Sequence, residues 1–120
     1  MNSENINIRD LTPIVSHFHP NTEMLHLRNA NGTITVTCLP WTYIRTTQRV
    51  TLYIDDKAVA DHAVLALEDR LGMPPVFEVP TMEYFKPGQT HTVQLVVTEP
   101  DGSDNPNSAR SKILTFTVAS

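Results

Sequence analysis

The run HFH at positions 17–19 is the sharpest chemical feature of the sequence. Residues i and i+2 of a strand project from one face, so His17 and His19 predict two nitrogen ligands for a metal ion. His26, His62 or His91 would supply the third nitrogen that such a centre needs. The competing reading is two surface histidines beside Pro20, and spacing this loose favours it. No metal or cofactor is therefore expected; were a metal held, His17 and His19 would be its ligands. The second candidate is LPWTYIR, residues 39–45. On an extended segment Trp41 and Tyr43 share a face and Arg45 follows in phase, which predicts a platform for a sugar or a protein partner. The alternative places Trp41 over the end of an apolar core.

Catalysis has little support. Cys38 falls on the apolar face of an alternating run, where a thiol is an inert small hydrophobe. No Gly-x-Ser-x-Gly elbow occurs, and four glycines cannot build a phosphate-cradling loop. Asp55-Asp56 and Glu68-Asp69 are adjacent carboxylates, which read as solvated turn residues rather than a catalytic dyad. DGSDNPN (101–107) offers oxygen ligands but lacks the spacing and terminal Glu of a calcium loop. The sequence predicts a protein that is not an enzyme.

Composition narrows the partners. The 120 residues suit one domain with a single core. Nine Lys and Arg against thirteen Asp and Glu give a formal charge of -4, and the basic residues form no stripe. Phosphate-backbone binding needs clustered cations, so no nucleic-acid partner is expected. No apolar run approaches the ~20 residues that span a bilayer, so no membrane insertion is expected. One cysteine allows no intrachain disulfide. MNSENINIRD shows neither a basic start nor an apolar stretch. A free-standing chain would then be cytoplasmic; as part of a longer exported chain it would be extracellular or on the cell surface.

The elements that must position these residues read as strands. In TITVTCL, Ile34, Val36 and Cys38 face inward, with threonines opposite. RVTLYID repeats this with Val50, Leu52 and Ile54; HTVQLVVT with His91, Val93, Leu95 and Val97; KILTFTVA with Leu114, Phe116 and Val118. PVFEVP (75–80), PIVSHFHP (13–20) and EMLHLR (23–28) are shorter candidates. HAVLALEDRLG (62–72) fits a helix by local propensity, yet its neighbours all read as strand, so a strand followed by a loop is expected. NANG (29–32), DDK (55–57) and EPDGSDNPNSA (99–109) are turns. About seven strands between turn signals predict an all-β, antiparallel sandwich over residues 32–120. Residues 1–31 would be an arm or added strands, leaving a monomer or a strand-exchanged dimer.

The pattern F-x-P-G-x-x-H-x-V-x-L-x-V-T-x-x-D-G over 85–102, closed by a last alternating strand, resembles bacterial immunoglobulin-like and fibronectin-III-like domains. TITVTCLPWTYIRTTQRVTLYIDDKAV (33–59) followed by VFEVP (76–80) looks like the repeats of bacterial surface and adhesin-type proteins. The resemblance covers about residues 33–119. It implies an immunoglobulin-like sandwich serving as a spacer or adhesive domain, and it favours Trp41 as core packing. Two departures stand out. His91 occupies the position where such domains often carry a corner tyrosine, and the usual Gly-Asp turn is missing from IRTTQRV. The alternative function is a lectin-like or phage-particle-type module that binds a glycan or protein through Trp41, Tyr43 and Arg45.

Overall fold

The computed structural model describes residues 8–28, 30–42, 44–99 and 107–119. Two sheets enclose one apolar core. The smaller holds β1 (Ile14–Val15), β4 (Thr33–Thr37) and β7 (Phe77–Pro80), in the order β1-β4-β7. The larger holds β2 (Phe18–His19), β3 (Met24–Leu25), β5 (Arg49–Ile54), β6 (Lys57–Ala63), β8 (Thr90–Glu99), β9 (Asn107–Arg110) and β10 (Leu114–Val118). Its order is β2-β3-β10-β8-β5-β6, with β9 also on β8. The chain is thus an all-β, sandwich-like fold. Core side chains come from the inward phase of each alternating strand: Ile34 and Val36, Val50, Leu52 and Ile54, Val93, Leu95 and Val97, Phe116 and Val118 are all buried.

Strand β8 is the spine of the larger sheet. It pairs antiparallel with β5 from Arg49↔Thr98 to Ile54↔Val93, and on its other edge with β10 and then β9. Between Val93↔Leu114 and Val96↔Arg110, two residues of β8 face three of the partner, so one extra residue bulges there. Ser111 repairs the ladder: its N–H donates to the Leu95 carbonyl (2.8 Å) and its hydroxyl oxygen accepts the Leu95 N–H (3.0 Å). Val96, expected to face out, is buried as well. Arg110 is its cross-strand neighbour and lies with its guanidinium 5.6 Å from the Tyr53 ring centre, covering that face.

Turn chemistry sets the registers. Asp55 and Asp56 both have left-handed backbones (φ 53° and 65°), the two-residue geometry that matches the twist of the β5–β6 hairpin. Asn31 and Gly32 are also left-handed (φ 54° and 82°), in a turn closed by the Thr33 N–H on the Ala30 carbonyl that leads from the larger sheet into β4. Pro87-Gly88 turns the chain into β8, and Gly88 donates to the Val118 carbonyl at 2.8 Å.

Three expectations change. The run 13–20 is not one strand: Ser16 and His17 turn (His17 φ 63°), carrying the chain from β1 in the small sheet to β2 in the large one. Residues 62–72 are not a strand and loop. Strand β6 ends at Ala63 and a helix, α1 (Ala66–Leu71), follows. The Glu68 carboxylate accepts the Leu65 N–H (2.8 Å), and left-handed Gly72 closes the other end, so local capping prevails over the strand-rich surroundings. The polar stretch 99–109 also yields a strand, β9, within its described part. Residues 8–28 supply β1 to β3 and bury Ile8 and Leu25 completely.

Candidate functional site

The residues that break the alternation define the site. The inward phase of β8 runs through 91, 93, 95 and 97, and its next member is Glu99. That of β5 runs through 50, 52 and 54, and the position before it is Gln48. Both are polar and both are buried, with 6% and 1% exposure. They meet at one end of the sandwich, beneath the 39–48 loop that crosses from β4 to β5.

Gln48 is the hub. Its Oε1 accepts the Trp41 indole N–H and the Arg45 backbone N–H, each at 3.1 Å. Its Nε2 donates to Glu99 Oε2 at 3.2 Å. Glu99 Oε1 accepts from the Thr47 hydroxyl at 3.1 Å and from Arg45 Nη1 at 3.4 Å. The buried carboxylate therefore has a cation and two neutral donors, which offsets the large cost of taking a charge out of water. The loop's own backbone joins in: Gln48 N–H bonds the Arg45 carbonyl, and the Gln48 carbonyl accepts from Val64 at the end of β6. Helix α1 braces the outside, with Asp69 accepting the Thr46 N–H at 3.0 Å. Chemically, this assembly fixes a loop: each oxygen of Glu99 already accepts from the protein.

The sequence candidates fall as follows. Trp41 is 4% exposed with its indole N–H donated inward, so its ring faces are packed and offer no open platform. Tyr43 lies outside the described residues. Arg45 is half-buried; its backbone N–H donates to Gln48 and its guanidinium to Glu99. Gln48, Thr47 and Glu99 were not anticipated. For Gln48 and Glu99 the available signal was the phase, since each lies in step with an apolar strand face; Thr47 lies out of step and carried no such signal.

A second polar cluster sits at the opposite end of β8. The buried His91 ring is 2.7 Å from Asp55 through Nδ1, while its Nε2 accepts the Lys86 N–H at 3.3 Å. An acceptor at Nε2 places the ring proton on Nδ1, directed at the carboxylate. Asp55 also accepts the Thr92 N–H, and Phe85 and Phe116 flank the imidazole. His62 is paired too, with Glu68 at 2.9 Å. His17, His19 and His26 are exposed; the His17 turn places only His19 within β2. Among the described residues, no group of three or more His, Cys, Asp and Glu converges in a metal-holding arrangement. Cys38 is buried, and burial raises its thiol pKa from the ordinary 9.0 to about 11. No described helix is long and apolar enough to cross a membrane.

Compared with known proteins, the chain matches no protein-family model, and no curated protein or solved structure matches it.

Proposed function

We propose that this chain is a non-catalytic structural or recognition module, an immunoglobulin-like spacer or adhesive domain of a bacterial surface or secreted protein. The observation that carries the reading is the Gln48 hub. It ties Trp41 and Arg45 to Glu99, which Thr47 also bonds directly, so the described part of the 39–48 loop is held in shape at the end of a two-sheet scaffold. A loop ordered in advance loses little entropy on binding, which is what a recognition surface needs. The strand order supports the immunoglobulin-like reading: β1-β4-β7 in one sheet, with β6-β5-β8 followed by β9 and β10 in the other. So does the N-terminal segment that changes sheets, and the Pro87-Gly88 corner leading to a buried, bonded His91.

Leu39 and Thr42 are exposed residues of the loop that lie outside the Gln48–Glu99 network, and they are its contact residues in this reading. The test is to probe arrays of glycans and of extracellular and cell-envelope proteins with the labelled chain. Binding to one of them, abolished by Leu39→Asp and Thr42→Asp with the fold intact, supports the proposal; a glycan hit assigns the ligand class to sugars. Turnover of a hydrolase or transferase substrate that copurifies with the chain and is lost in Glu99→Gln would overturn it.

A further inference from the structure

The β2–β3 hairpin carries a feature unrelated to the loop end. Its register pairs Phe18 with Leu25 and His19 with Met24, and the His26 N–H donates to the His17 carbonyl at 3.0 Å. Directly opposed residues of an antiparallel pair share a face, as do residues two apart along one strand. Phe18 and Leu25 turn inward, where Leu25 is fully buried and Phe18 meets Phe116 with ring centres 6.2 Å apart. His19 and His26 therefore lie diagonally on the outer face. Their rings are already in contact, with centres 4.3 Å apart and planes inclined at 61°.

We propose that His19 and His26 bind a divalent transition-metal ion of the zinc, nickel or copper class. Neutral imidazole is the natural ligand for these ions. Both rings are exposed, and among the described residues no hydrogen bond or ion pair engages their ring nitrogens. This differs from the ligand pair that spacing implied. His17 has a left-handed backbone in the turn, so a cross-strand partner, His26, replaces the i, i+2 partner. Two protein nitrogens leave the remaining coordination positions to water or an outside ligand. A cleft of about 500 Å3 lined by His26, Leu27, Arg28, Pro87 and Ala119 opens beside the pair and gives such a ligand room. The main chain is braced independently of the ion, since Thr117 donates to the Glu23 carbonyl and Ala119 to that of Leu25. Reorienting two surface side chains is then all that binding requires.

The experiment is a calorimetric titration of the full chain with zinc and nickel chlorides, alongside His19→Ala, His26→Ala, His17→Gly and His62→Ala. One ion per chain is expected, with binding weakened roughly tenfold or more in His19→Ala and in His26→Ala. His17→Gly, which suits the left-handed backbone, and His62→Ala should retain it. With copper, electron paramagnetic resonance should show two imidazole nitrogens, falling to one in either alanine variant. Circular dichroism checks that each variant is folded. The proposal is overturned by no binding at millimolar ion, by binding that survives the His19→Ala/His26→Ala double change, or by loss in His17→Gly with retention in His26→Ala.

Discussion

Gln48 shows how much one buried amide can organise. Replacing it with leucine keeps the volume but strips partners from the Trp41 indole, the Arg45 N–H and Glu99 together. Unsatisfied buried polar groups of this kind cost about 2–4 kcal/mol in sum. Gln48→Leu should lower the urea midpoint accordingly, and Gln48→Leu/Glu99→Leu should cost less than the two single changes added. A loss under about 0.5 kcal/mol in Gln48→Leu would show the hub to be dispensable. Cys38 makes a prediction in pH. The folded thiol ionises near 11 against an ordinary 9.0, so the unfolded chain releases its proton first. The stability linked to Cys38 is complete below pH 9 and is lost as pH climbs toward 11, by up to about 3 kcal/mol. Cys38→Val should remove that share of the alkaline decline, measured as unfolding free energy from pH 8 to pH 11. At this scale the inward residues of the long strands were legible from alternation. Gln48 and Glu99 were not, because a polar residue at a strand end ordinarily sits in solvent; only its phase reveals that it is inside.

Among the elements, the β5–β6 hairpin separates two functions that adjacent residues share. Asp55 and Asp56 both carry positive φ, but Asp55 also holds the His91 ring and the Thr92 N–H. Asp56→Gly relieves a left-handed backbone and should raise stability by about 0.5–1 kcal/mol. Asp55→Gly relieves the same strain yet leaves a buried imidazole without its acceptor, and should lower stability by about 1–3 kcal/mol. Denaturation midpoints of the two variants should therefore move in opposite directions; movement in the same direction would deny Asp55 its structural role. Helix α1 shows why boundaries resisted reading. It buries none of its residues, and Leu67 and Leu71 are exposed, so its apolar spacing was no guide to the core. What made it a helix were Glu68 and Gly72, short-range capping signals that a strand-rich context outweighed in the sequence reading. The split of 13–20 has a similar cause: alternation says nothing of a left-handed residue such as His17, which sends the next strand to the other sheet.

For the molecule as a whole, two-sheet architecture was legible because most of the chain alternates between apolar and polar residues. Which strand neighbours which was not, since register and order follow from turns and long-range pairing. The order found places strand β8 between the two ends of the chain's chemistry, with Glu99 fastening the loop above and His91 fastening the corner below. At about 3.3 Å per residue those anchors are some 26 Å apart, far enough that substitutions at the two should act additively on stability. A four-variant cycle of Gln48→Leu and Asp55→Gly tests this, and a coupling above about 1 kcal/mol would show that the ends communicate through the spine.

Strand β3 runs parallel to β10, whereas every other pairing among the described residues is antiparallel. Tension applied to the two termini, once β1 and β2 have peeled away, drags these neighbours lengthwise in opposite directions. Their cross-links, among them Thr117 to Glu23 and Ala119 to Leu25, must then give way together instead of opening one after another like a zip. A fibre built from such units would resist stretching most strongly along its own long axis.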